Sequence, residues 1–205
     1  DVNNNGEVVG RAWSSAGSSG FNHPFRWKNG VMTDLAMPAE CNLGEVYDVN
    51  DNGQMVGIAS GTGACNNQVA IAWTNHTSTG VILGEALAAA SINAIVRYSG
   101  GINDSGVIHA QSVVGGQSRC VIITAAPSVT LTTLDWLGTE TSQSGCIPGR
   151  INNLGEAVGY QHNTATGQVD QAFLYTGGVI HDLNALVDAA THAQWQLLEA
   201  YDIND

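Results

Sequence analysis

Four kinds of short apolar run recur in a fixed order along the chain. The first kind leads into an asparagine turn, as in Glu45-Val46-Tyr47-Asp48-Val49 and Ala200-Tyr201-Asp202-Ile203. The second follows the turn glycine: Glu7–Gly10, Gln54–Gly57, Val107–Ala110 and Glu156–Gly159. The third is the most apolar, with Pro24–Trp27, Val69–Trp73, Cys120–Ile123 and Ala172–Tyr175. The fourth comprises Val31–Leu35, Val81–Leu83, Val129–Leu134 and Val179–Leu183. Asn29-Gly30 and Gly177-Gly178 separate third from fourth runs, and such pairs accept the positive φ of tight hairpin turns. Apolar runs of four or five residues bounded by turns fit strands covered on both faces. Glu85–Val96 and Leu183–Ala200 instead carry apolar residues at partly helical spacing, and each predicts a short helix.

The turn between the first and second runs is a repeated motif. It reads Val2-Asn3-Asn4-Asn5-Gly6, Val49-Asn50-Asp51-Asn52-Gly53, Ile102-Asn103-Asp104-Ser105-Gly106 and Ile151-Asn152-Asn153-Leu154-Gly155, with a fifth start at Ile203-Asn204-Asp205. The motif asparagines are 47, 53, 49 and 52 residues apart. A period near fifty with four strands per unit is the size of a propeller blade. The predicted fold is therefore all-β: a single repeat domain over 1–205, built as a β-propeller of about four four-stranded blades. The repeats run approximately 1–47, 48–100, 101–149 and 150–201, with a closing strand at 198–205. A β-solenoid or a sandwich is the competing architecture, but solenoid repeats are usually shorter and less hairpin-like. The strand at Leu198–Ile203 leaves three arrangements open. It completes the Asp1 unit and closes a ring, it completes the next molecule in a filament, or the chain is a piece of a longer array.

Composition narrows the function classes. Six Lys+Arg against eighteen Asp+Glu give a net charge of −12 and a pI near 4.6. A chain this acidic has no footprint for a phosphate backbone or an anionic membrane, so neither nucleic acid nor membrane insertion is expected. No apolar stretch reaches the roughly 18 residues of a membrane span. Lys28 is the only lysine, and uncharged polar residues carry most of the polarity, as is common in exported β-rich proteins. Cys41, Cys65, Cys120 and Cys146 make an even set without a CxxC or zinc-finger spacing, which favours two disulfides over structural zinc. The expected pairs are Cys41–Cys65 and Cys120–Cys146. Asp1-Val2-Asn3 is not a signal peptide, so an exported protein has lost its leader or carries it outside this sequence.

The unit resembles the extracellular HAF repeat, which reads approximately D-I-N-D-S-G-Q-V-V-G, then A-F-L-W, N-G and M-x-D-L. Asp48–Gly57 (DVNDNGQMVG) and Asp202–Asp205 match the first part, and Gln171–Tyr175 and Phe25–Gly30 match the middle. Val31-Met32-Thr33-Asp34-Leu35 matches the last part. The third unit departs, with His109-Ala110 for V-G and Cys120–Ile123 for A-F-L-W. The resemblance covers essentially the whole chain. It implies an exported or surface protein of propeller type and brings no catalytic residues.

Candidate chemistry is sparse. Asp48-x-Asn50-x-Asn52-Gly53 matches the opening of an oxygen-rich calcium loop, as does Asp1-x-Asn3-x-Asn5-Gly6. The ninth and twelfth positions fail, and the third and fourth units have Gly101 and Arg150 at the leading position. An Asx turn is the simpler account of the motif, and no other cofactor is expected. Among the histidines, His109 interrupts an apolar strand and is a candidate ligand-binding residue. No nucleophile elbow is present. Asp34, Glu40, Glu85, Asp135, Glu140, Asp170, Asp182 and Asp188 form a pool for paired-carboxylate chemistry without a motif that singles any out. Asp34 and Asp182 hold equivalent repeat positions and read as turn or cap residues. Trp27 and Trp73 occupy equivalent strand positions, matched by Tyr175, and are expected in the core. Trp13, Trp136 and Trp195 fall outside that equivalence and are candidates for glycan contact. Asn75-His76-Thr77 and Asn103-Asp104-Ser105 are glycosylation sequons.

The expected function is a non-catalytic extracellular module for structure or interaction, with self-assembly or a glycan as candidate partners. Its variable loops are Ser14–Asn22, Ser60–Gln68 and His162–Asp170. The alternatives are a carbohydrate-active hydrolase or lyase, or a lectin, working in the ring's axial pocket.

Overall fold

The computed structural model describes residues 1–13, 22–124, 128–138, 144–163 and 168–205. The fold is all-β, and the strands of the described residues form four antiparallel sheets. The first sheet holds β1 (Val8–Trp13), β2 (Asn22–Lys28) and β3 (Val31–Asp34). The second holds β4 (Cys41–Val49), β5 (Met55–Gly61), β6 (Val69–Trp73) and β7 (Val81–Ile82). The third holds β8 (Ile95–Ile102), β9 (Ile108–Val114), β10 (Gln117–Thr124) and β11 (Thr130–Thr133). The fourth holds β12 (Ser144–Ile151), β13 (Ala157–Asn163), β14 (Gln168–Thr176) and β15 (Val179–Asp182). Within each sheet, neighbours in sequence are neighbours in space.

The third apolar run of the second, third and fourth units reaches the interior because successive sheets stack face to face. Val9 and Leu35 of the first sheet meet Met55, Ile71 and Trp73 of the second. Val56 and Ala70 meet Ile108, Val121 and Ile123 of the third. Ile122 and Leu134 meet Ala157 and Phe173 of the fourth. Each fully buried side chain of this kind contributes roughly 1.5–3 kcal/mol. The first sheet shows what the stacking does. Trp73 is 1% exposed and its Nε1 donates to the Ala36 carbonyl of the preceding unit, whereas Trp27, at the matching position, is 40% exposed. Trp27 therefore departs from the expected core position. It shares its outward face with Val2 and Met32, at 62% and 55% exposure, because among the described residues no sheet covers that face.

The first unit has three strands rather than four, with only an isolated bridge between Val2 and Val8 at the place of the innermost strand. The tail does not supply the missing strand. Its hydrogen bonds run to the fourth sheet: Arg150 N–H donates to the Tyr201 carbonyl and Ala172 N–H to that of Leu197. The ring of Tyr201 sits edge-on to Tyr160 at 6.2 Å.

Helix is scarce. The spacing over Glu85–Val96 yields only α1 (Leu83–Ala89), which ends before Ser91 at φ 63°, and Ile95 already begins β8. Leu183–Ala200 holds a 3₁₀ turn at Leu183–Ala185 and α2 (Ala189–His192), the remainder being irregular. Disulfides join Cys41 on β4 to Cys65 in the 3₁₀ turn after β5, and Cys120 on β10 to Cys146 on β12 between the third and fourth sheets. Among the described residues no helix is long and apolar enough to cross a membrane.

Candidate functional site

The repeated asparagine builds the site. The side-chain oxygen of Asn50 accepts the N–H groups of Asn52 and Gln54, at 3.1 and 2.9 Å, in an Asx-type turn that Gly53 finishes at φ 74°. Asn3, Asn103 and Asn152 do the same in their own units. The amide nitrogen then reaches the next unit. Asn3 donates to the Asn50 carbonyl, Asn50 to Asn103, Asn103 to Asn152 and Asn152 to Asn204, at 2.8, 2.8, 3.0 and 3.0 Å. A second ladder runs one residue further on. The N–H of Asn4, Asp51, Asp104 and Asn153 each bonds the side chain of the corresponding residue in the following unit, ending at Asp205.

Beside these turns the inner strands carry an irregularity at one shared place: between Val46 and Asp48, Ser99 and Gly101, and Pro148 and Ile151. Bulges re-aim side chains, and here they set the residue two before the motif asparagine. All five copies line one cavity of about 310 Å³, in which Arg150 is the only basic side chain. Its guanidinium lies 2.6 Å from Asp48 Oδ1 and 3.3 Å from Asp1 Oδ1. Asp48 Oδ2 also accepts the Ile102 N–H at 2.6 Å. Burial pushes the Asp48 carboxyl above its ordinary range, against the opposing pull of Arg150 and the backbone donors. Gly101 leaves room for this cluster, since a Cβ there would stand 3.0 Å from both Asp48 Oδ2 and the Arg150 Cα. The two departures from an acidic leading residue thus have one reason: Gly101 makes space, and Arg150 balances the carboxylates of two other units.

This arrangement does not offer Asp48, Asn50 and Asn52 as a calcium set. The Asp48 oxygens face N–H groups and a guanidinium, the Asn50 oxygen holds two N–H groups, and Asn52 donates its amide to the Asp104 carbonyl. Among the described residues no group of three or more His, Cys, Asp or Glu is arranged for a metal.

The other candidates scatter. His109 is fully buried between the third and fourth sheets, with Nδ1 donating to the Gly149 carbonyl at 3.1 Å and its ring edge-on to Phe173 at 6.0 Å. Burial lowers its pKa to about 4, so it is a neutral packing residue rather than a surface ligand. Trp136 is half-buried with the Arg119 guanidinium 5.1 Å from its ring. Trp13 and Trp195 are exposed, on β1 and just after α2. Asp182 caps the following 3₁₀ turn by accepting the Asn184 N–H at 2.8 Å, while Asp34 lies 3.3 Å from His23. Asn103 is buried within the ladder, whereas Asn75 is exposed in a turn closed by Thr77 and Ser78. Residues 14–21 and 164–167 of the variable loops, and Glu140, lie outside the described residues.

The sequence marks Arg150 only as a departure from the acidic leading position, and gives Asn184 no part. Arg150 had a signal, a lone cation at a repeat position otherwise acidic or glycine. Asn184 had only a place next to a capping aspartate. The chain matches no known protein family, no curated protein and no solved structure.

Proposed function

We propose that the chain is a propeller-type module of the HAF kind, non-catalytic, which serves outside the cell as a structural and interaction element. The observation that supports this reading is the double ladder. The ladder side chains around the shared cavity are engaged in joining one unit to the next, and the Arg150 guanidinium there pairs with two carboxylates. Such a site holds a frame rigid rather than turning over a substrate. Two disulfides suit an oxidising compartment, and the repeat residues carry the likeness to HAF units. The test is incubation of the full chain with a panel of plant, fungal and bacterial polysaccharides, following reducing ends and the 235 nm absorbance of unsaturated products. No release above buffer is expected; turnover that disappears on Asp48→Asn would replace the module with an enzyme.

A further inference from the structure

The loop after β15 is built with unusual care for a connection. Asn184, buried at its base, donates Nδ2 to the Leu197 carbonyl at 2.9 Å and accepts the Leu197 N–H at 2.7 Å. Those two bonds close the excursion 185–196 into a fixed ring. Inside it, Asp188 caps α2 through the N–H groups of Ala190 and Thr191 and the Thr191 hydroxyl. The N–H of Trp195 then bonds the Thr191 carbonyl at 2.9 Å. The loop is ordered by its own hydrogen bonds, yet it leaves Trp195 68% exposed.

Trp195 borders a cavity of about 460 Å³, lined also by Gln171, Asp182, Asn184, His192 and Gln194. A second cavity of about 450 Å³ shares Asp182, Asn184 and His192 with it, so the two form one extended groove. Both are open depressions on the surface, so a ligand here lies along the groove with one side towards solvent. Asp182 has its Oδ1 bound to Asn184, while Oδ2 accepts the Gln171 amide at 3.5 Å. The lining therefore offers a carboxylate oxygen, several neutral amides and one flat aromatic face. A phosphate or sulfate finds no Lys or Arg among the lining residues, and the apolar wall of the second cavity is made of the short side chains of Ala185, Val187 and Ala189. A pyranose fits: its C–H face suits the electron-rich indole surface, and its hydroxyl edges suit amide and carboxylate partners.

We propose that the groove beside Trp195 is a saccharide-binding subsite that takes an oligosaccharide of at least two rings. The inference deepens the interaction role proposed above and rests on that reading. Trp195 supplies the stacking surface, and Asp182, Gln171 and Gln194 supply hydrogen bonds to the ring hydroxyls.

The test is calorimetric titration of the full chain with soluble cello-, xylo-, manno- and chito-oligosaccharides of two to six rings. At least one series is expected to bind with Kd at or below about 1 mM, tighter for longer members as the second cavity fills. Trp195→Ala should weaken it at least tenfold and Trp195→Tyr should restore most of the loss, with far-ultraviolet dichroism unchanged in both. Asp182→Asn should weaken binding about threefold or more. Absence of binding across the panel overturns the proposal. So does equal binding by Trp195→Ala, or binding of tetramethylammonium in place of sugars, which would make the groove a cation site. Cleavage of a bound oligosaccharide would overturn the non-catalytic reading and leave this site standing. Binding to none, with polysaccharides intact, would remove this site alone.

Discussion

Asn50 uses all four hydrogen-bonding valences of its amide: two N–H groups onto its oxygen, and its own two hydrogens to Gln54 Oε1 and the Asn103 carbonyl. Aspartate has the same shape but no donors and adds a buried charge. Asn50→Asp is expected to cost about 3 kcal/mol or more, read as a lower urea midpoint at unchanged m-value. Half of this role was legible in the sequence, since Asn followed by Gly three residues later announces an Asx turn. The other half was not, because a bond to the next unit depends on how the units stack. His109 gives a second test at this scale. Its folded pKa of about 4 lies below the 6.5 of the unfolded chain, so the unfolded state binds the proton more readily. Its contribution is intact above pH 6.5, erodes as pH falls, and is fully lost below about pH 4. Wild type should lose roughly 3 kcal/mol from this source across that window. His109→Leu should show a stability–pH profile flatter by that amount in chemical denaturation between pH 7 and 4. Glu7 has the opposite sign: burial alone would raise its carboxyl, but hydrogen bonds from Arg26 and Asn3 and the Arg26 and Lys28 charges outweigh that and hold it below the usual glutamate value, so its contribution is present above the unfolded pKa and is lost as pH falls through the folded one.

Strands were the readable elements, because runs such as Val69–Trp73 are apolar on both faces and end in turn residues. A short helix in each of the two longer connections was also readable, but not its bounds: α1 starts at Leu83 and ends at Ala89, and α2 is a single turn, because the sheet on either side decides how far the spacing is used. α2 stands on the Asp188 cap, and its four residues bury none of their side chains. The two disulfides also act at this scale, but on different boundaries. Cys41–Cys65 ties a strand to its own unit's loop, while Cys120–Cys146 crosses from the third sheet to the fourth. Their sequence separations of 24 and 26 predict a similar loop-closure effect, on the order of 3 kcal/mol each. The Cys120→Ala/Cys146→Ala variant should lose that amount and also speed hydrogen exchange in β12–β15 more than in β4–β7. The Cys41→Ala/Cys65→Ala variant should reverse that regional pattern.

Across the molecule, the units are held by stacked apolar faces, by the asparagine ladder and by Arg150, which reaches from the fourth unit to Asp48 of the second and Asp1 of the first. Arg150→Met leaves two carboxylates without their counter-charge and should cost about 2–4 kcal/mol at pH 7. The deficit should shrink on acidification, as the orphaned carboxylates take up protons. It should be partly recovered in Arg150→Met/Asp48→Asn, giving a coupling measurable by a double-mutant cycle. The period of about fifty residues was visible in the sequence, and so was the order of strands. What covers the outer faces of the first and fourth units was not, because an apolar residue such as Trp27 carries no label of its neighbour.

The ladder has a direction: in each junction the earlier unit gives its amide hydrogen and the later one receives it on a main-chain carbonyl. Every junction therefore presents the same plug and the same socket. When stability is mostly a sum of unit and nearest-neighbour terms, copy number is free to change by whole units. A gene coding for such a chain gains or loses a module by one in-frame duplication or deletion, and each new boundary is already compatible with the old ones.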